Sequence, residues 1–178
     1  MSMTPRPPSI PADRRLAVSV IAQGPRTLVA LAGRLDEQAV GLSTVAQIST
    51  REVVINLGGI TFINSLGVRE WVRALRTLLA RHADVTLAQV SAVLVPQMNM
   101  VREMSAGTKI SSFEAPYSCP KCGHEGPMLI EVGAHGDLLR RTAAPALPCP
   151  ECKGTMSCDE IPAHYFMFLE LDQAARTG

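Results

Sequence analysis

The sequence predicts an α/β protein: a mixed, mostly parallel sheet with helices, followed by a small all-β unit. Three observations carry this reading. Apolar runs of strand length alternate with helical patterns across residues 15–115. The first two strand-like runs are joined by a tight turn at Gly24-Pro25, which makes the opening pair antiparallel. All five cysteines fall between Cys119 and Cys158. This composition shift marks a boundary near Pro116-Tyr117. The expected organisation is a leader over 1–14, a first domain over 15–115, and a cysteine-bearing domain with a short tail over 116–178.

The elements follow in order. Pro5, Pro7, Pro8 and Pro11 keep the leader extended and out of any helix. "LAVSVIAQ" (16–23) and "TLVALAGRLD" (27–36) read as two strands, and "EQAVGLSTVAQIST" (37–50) as a helix. "EVVINLGG" (52–59) reads as a buried central strand ended by its glycine pair. Over 65–81, Val68, Trp71, Val72, Leu75, Leu78 and Leu79 recur at spacings of three and four, the pattern of an amphipathic helix. "DVTLAQV" (84–90) is a strand, and "SAVLVPQMNMVREM" (91–104) a helix with Pro96 near its first turn or starting it. "KISSFEA" (109–115) closes the domain as a strand, giving the order β-β-α-β-α-β-α-β. Beyond it, "PMLIEV" (127–132), "DLLRR" (137–141) and "AHYFMFLEL" (163–171) read as short strands.

Composition narrows the function. Apolar residues make up 47% of the chain but aromatics only 4%, so the core is aliphatic. A net charge of +1 over 178 residues excludes a chain built mainly to grip nucleic acid or anionic lipid. No apolar run approaches the roughly 20 residues that span a bilayer, and "MSMTPRPPSIPADRR" lacks the apolar centre of a secretory signal. The expected location is the cytoplasm, where thiols stay reduced.

Two constellations carry chemistry. "CPKCGH" (119–124) and "CPECKG" (149–154) are paired C-x-x-C knuckles. Such spacing turns two thiolates toward one ion, and two knuckles close a tetrahedron. Cys119, Cys122, Cys149 and Cys152 are therefore the expected ligands of one structural Zn2+ per chain, with Gly123 and Gly154 at the returns. His124 is a minor alternative ligand, and Cys158 a spare thiol. His82, His135 and His164 share no metal or catalytic spacing. This unit resembles a zinc ribbon, with a core expected to be separate from that of the first domain.

The second constellation is "GGITFINSLGVREW" (58–71). Ser65 stands before an amphipathic helix, where it reads as the N-cap. A phosphate there would meet free amides at the positive end of the helix. Arg69, Arg73 and Arg76 lie on the helix's other face. They are either a solvated surface or a contact surface for an acidic partner. Met98, Met100 and Met104 are either core fillers or an adaptable binding surface.

With "TLVALAGRLD", "VVINLGGITFINSLGVREWVRAL" and "VTLAQVSAVLVPQMNMV", residues 15–115 resemble a STAS domain, the domain of bacterial anti-sigma-factor antagonists. The family usually carries Asp-Ser-Ser/Thr-Gly where this chain has Asn64-Ser65-Leu66-Gly67. The resemblance implies a non-enzymatic signalling protein that binds a serine-kinase type regulator, itself the anti-sigma factor. Contact would run through the 58–67 loop and the following helix, involving Asn64, Ser65, Leu66, Gly67, Arg69 and Arg73. It also implies phosphorylation of Ser65 as the switch. No P-loop and no nucleophile–base–acid spacing points to an enzyme. Two other classes stay open: a STAS-type structural subunit of a lipid-transport ATPase, and a zinc-ribbon regulator that binds nucleic acid. Self-association through the ribbon is a further expectation; membrane insertion is not expected.

Overall fold

A computed structural model of the chain describes residues 15–81 and 83–169. The expected leader, His82 and the end of the 163–171 segment lie outside the described residues. The first half is a five-stranded sheet in the order β1 (Ala17–Gln23), β2 (Arg26–Leu35), β3 (Glu52–Ile63), β4 (Asp84–Ala88), β5 (Lys109–Ile110). β1 and β2 pair antiparallel; β2–β3, β3–β4 and β4–β5 are parallel. The mixed, mostly parallel α/β fold read from the sequence is the fold observed.

Its helices are α1 (Leu42–Ala46), α2 (Ser65–Leu79) and α3 (Val95–Met100), with a 3-10 turn at Arg102–Met104. α1 is much shorter than the 37–50 segment expected, because only Leu42 and Val45 of its turns are buried and no side chain caps it. β3 runs on to Ile63 rather than ending at its glycines. At Gly59 an added Cβ would lie 2.5 Å from the Ala32 Cβ and 2.8 Å from the Leu31 carbonyl oxygen. The glycine lets two strands approach closely where the β2–β3 register shifts. α2 buries Val68, Trp71, Ala74, Leu75 and Leu78 as its spacing requires. The Trp71 indole Nε1 donates to the Met104 carbonyl at 2.9 Å, fixing the 3-10 turn beneath α2. Met98 and Met104 are fully buried core fillers, while Met100 is 69% exposed.

The second half is an antiparallel sheet in the order β7 (Glu125–Glu131), β6 (Ser112–Ser118), β9 (Thr155–Cys158), β8 (Leu147–Pro148). Two segments expected as strands are helical. Residues 137–141 fall largely in α4 (Val132–Arg140), and 163–165 in α5 (Pro162–Tyr165). Each is a short apolar pattern that fits either period: α4 buries only Leu139, and the second segment buries Tyr165, Phe166, Phe168 and Leu169 as two adjacent pairs rather than in strict alternation.

β6 runs straight through Pro116-Tyr117 and ties the two sheets together. Val90 bridges Phe113, its amide donating to Ser112 and its carbonyl accepting from Glu114. Phe113, Ala115, Tyr117 and Cys119 alternate inward, all at 1% exposure or less. The expected separate cores are instead one: a single buried cluster runs from Val29 and Trp71 to Cys119, Cys149 and Phe168.

Candidate functional site

The chain reaches α2 from the carboxyl end of β3. Asn64, in extended conformation, is the N-cap: its side-chain oxygen accepts the Gly67 amide at 2.9 Å. This corrects the sequence reading, which gave the cap to Ser65. Ser65 is the first helical residue, and it is exposed. Its hydroxyl makes no hydrogen bond to any described residue. The Asn64 amide nitrogen also donates to Glu37 Oε2 at 3.1 Å, which an aspartate could not do. Leu66 stands beside Ser65 at 39% exposure, a large apolar side chain in solvent at the helix start.

Gly67 is buried. An added Cβ would fall 1.9 Å from the Leu35 carbonyl oxygen, so glycine lets the first turn of α2 rest on the end of β2. Gly67 therefore positions the site from beneath.

Along the same side of α2 a groove of about 540 Å³ is lined by Ser65, Val68, Arg69, Val72, Arg73, Arg76, Thr77, Val101 and Glu103. Its three arginines are exposed and partnered: Arg69 and Arg73 each lie 3.2 Å from Glu70, and Arg76 lies 3.7 Å from Glu103. Pairs of this exposure contribute little to stability. The groove thus offers an exposed hydroxyl, an apolar floor and guanidinium groups held by weak partners.

The cysteines form the second centre. Each knuckle is the turn of a hairpin: 119–124 joins β6 to β7, and 149–154 joins β8 to β9. Pairing of β6 with β9 sets the two hairpins side by side, so both knuckles share one end. The backbone repeats closely. The Cys119 amide donates to the His124 carbonyl and the Gly123 amide to the Cys119 carbonyl; Cys149 with Gly154, and Lys153 with Cys149, do the same. Left-handed backbone falls at Gly123 and at its equivalent Lys153, with φ of 74° and 60°. The second return is therefore at Lys153, and not at Gly154 as expected. Gly154 instead donates its amide toward the Cys152 sulfur at 3.4 Å.

The ligand atoms of Cys119, Cys122, Cys149 and Cys152 all lie within 4.8 Å of one another, and two of the sulfur pairs are 3.6 Å apart. A tetrahedral ion with metal–sulfur bonds of about 2.3 Å needs sulfurs roughly 3.8 Å apart, so the donor set fits. Its electrostatics point the same way. The Cys122 amide leads the contacts that hold the Cys119 thiol down to about 7, against desolvation. The Cys152 amide likewise leads in lowering Cys149. At Cys122 the His124 amide also pulls down, but the neighbouring sulfurs and burial outweigh it and push the thiol up to about 12. Four thiolates this close repel one another unless a cation sits among them. Neither His124 nor Cys158 belongs to the cluster. His164 is exposed and His135 half-buried, outside either centre.

No family model matches the chain, and no curated protein does. Among solved structures it is similar to the anti-sigma factor antagonist SpoIIAA in its unphosphorylated form, at 18% identity over 53% of this chain and 87% of that one, TM-score 0.41. An anti-sigma factor antagonist from Mycobacterium paratuberculosis matches at 17% identity over 41% of this chain and 66% of that one, TM-score 0.35. The protein Mglu matches at 25% identity over 39% of this chain and TM-score 0.36; the chain spans only 18% of its length. Among the described residues, no helix is long and apolar enough to cross a membrane.

Proposed function

We propose that this chain is a non-enzymatic, cytoplasmic signalling protein that works by binding, in the manner of an anti-sigma-factor antagonist. Its partner is a serine-kinase type regulator. Asn64, Ser65 and Leu66 with Arg69 and Arg73 form the contact, over Gly67 as the support. Phosphorylation of Ser65 is the switch.

One observation carries the reading. Because Asn64 takes the capping role, the Ser65 hydroxyl is exposed and uncommitted at the amino end of a 15-residue helix. A phosphate there adds nearly two negative charges to a surface where Arg69 and Arg73 pair with Glu70, Arg76 with Glu103, and Glu37 meets Asn64. It would find helix amides and Arg69 one turn away. Any complex centred on that loop would have to rearrange.

The four cysteines are proposed to hold one Zn2+, which cross-links the two knuckles. With four protein ligands the ion has no open position for a reacting group. Its role is structural. The chain's own residues prepare the place: backbone amides turn toward the sulfurs, and the Cys119 and Cys149 side chains are buried.

The experiment is an affinity capture from the native cell with wild type and Ser65→Asp side by side. Wild type is expected to capture a serine-kinase type regulator, and Ser65→Asp to lose it. A nucleic acid or an ATPase as the specific partner, retained equally by both, would overturn it.

A further inference from the structure

The cysteine centre and the α2 face are joined by a short chain of contacts. We propose that metal occupancy of the four-cysteine centre controls the α2 face through segment 159–168. This rests on the reading of the centre as a zinc site.

The segment hangs from the second knuckle. Residues 149–154 lead directly into β9, which pairs with β8 at only two positions and with β6 at two more. Strands this short do not hold their own register in water. Closure of the knuckles by a metal supplies that constraint. β9 then delivers the chain to residue 159, whose amide donates to the Pro116 carbonyl, and on to α5.

α5 and the residues after it dock on the first half. Asn99 of α3 makes three hydrogen bonds to them. Its amide nitrogen donates to the carbonyls of His164 at 3.2 Å and Tyr165 at 3.1 Å, and its oxygen accepts the Phe168 amide at 2.8 Å. The Tyr165 hydroxyl donates to the Glu114 carbonyl at 3.0 Å. Phe166 and Phe168 pack edge-on against Phe113 at ring separations of 5.5 and 5.2 Å. Immediately after α3 comes the 3-10 turn whose Met104 carbonyl holds Trp71 of α2. Segment 159–168 is thus the element with two arrangements, docked and undocked, that both ends bias. Undocked, it uncovers Phe113 and releases Asn99, and the support under Trp71 loosens. Whatever binds α2 then also pays for redocking, so metal and partner favour one another.

The test uses the full chain purified with zinc. Zinc content is measured by elemental analysis before and after a chelator. Amide hydrogen exchange across α2 and residues 159–168, and emission of Trp71, the sole tryptophan, are followed in parallel. Chelation is expected to speed exchange in 159–168 and in α2 and to shift Trp71 emission; zinc restores both. Asn99→Ala is expected to keep one zinc per chain, yet show faster α2 exchange that no longer responds to chelation. Zinc that binds and leaves with no change at α2 in wild type overturns the coupling while leaving the metal site standing. A chain that takes up no zinc overturns the metal site and the coupling together. Should Asn99→Ala not fold, the wild-type series is read against β2 and β3: faster exchange confined to 159–168, α3 and α2 is the expected result, and an equal rise across β2 and β3, the mark of global destabilisation, overturns the coupling.

Discussion

The side-chain oxygen of Asn64 accepts the Gly67 amide at 2.9 Å, and this bond assigns the work at the start of α2. Asn64 satisfies the helix; Ser65 is left free. Replacing Asn64 by Ala is expected to cost about 1 kcal/mol and also to lose the contact to Glu37. Ser65→Ala is expected to change stability by less than about 0.5 kcal/mol, as an exposed substitution with no partner does. Denaturant unfolding of the two variants checks the order. A Ser65→Ala loss as large as that of Asn64→Ala would return the cap to Ser65.

Gly67 shows that the site is held from below. Its Cβ position lies against the Leu35 backbone, which cannot turn away as a side chain can. Gly67→Ala is therefore expected to destabilise by roughly 1–3 kcal/mol, in the range of overpacked positions, and to lower partner affinity by shifting the first turn. Thermal melts and a binding titration measure the two effects.

Arg69 and Arg73 make the opposite prediction. Both are exposed and share Glu70 at 3.2 Å. Reversal of both to Glu is expected to change stability by no more than about 1 kcal/mol while weakening partner binding at least about tenfold, by loss of charge complementarity. Unchanged affinity would make the arginine row a solvated surface.

The cysteines divide four to one. Cys149→Ser is expected to drop zinc below one per chain and to destabilise the whole chain by several kcal/mol, because the centre shares one buried cluster with the first sheet. Cys158→Ser leaves the metal in place and costs less than about 1 kcal/mol. Acid should release the metal, since its ligands must be thiolates. Elemental analysis and melting curves across pH test both statements.

Glu114 sits where the halves meet, its carboxylate accepting the Ala92 amide at 3.2 Å. Burial raises its pKa above the ordinary 4.5, while the Ala92 amide pulls the other way. The folded chain therefore holds this proton more tightly than the unfolded chain. Stability through Glu114 is fullest below about 4.5 and falls as pH rises through the folded value. Glu114→Gln, which can still accept the amide, is expected to flatten that fall and to melt no lower than wild type at pH 7. A lower melting temperature with the pH slope intact would contradict this.

How far the sequence carried the reading differs from place to place, for physical reasons. The face of α2 was legible because Val68, Trp71, Leu75 and Leu78 repeat at helical spacing and the core enforces it. The cysteine centre was legible because two knuckles of equal spacing have few other uses. The cap was not, because Asn and Ser cap about equally well and only the backbone at Asn64 decides. β3 outran its glycines because Gly59 serves a close approach to Ala32, which a single strand's pattern does not reveal. Segments 137–141 and 163–171 were too short to distinguish the two periods. The join through Phe113, Asn99 and Phe168 is a contact between distant parts of the chain, with no local signal at all.

A switch at Ser65 leaves a phosphate that can be mapped on the protein taken from its native cell. Intact mass and peptide mass spectrometry would be run across growth and stress conditions. A single phosphate is expected on Ser65, and none on Ser91, Ser111 or Ser112. Ser91 and Ser112 are buried at 3% exposure, and none of the three opens a helix. Ser65 without phosphate under every condition, together with wild-type partner binding by Ser65→Asp, would contradict it.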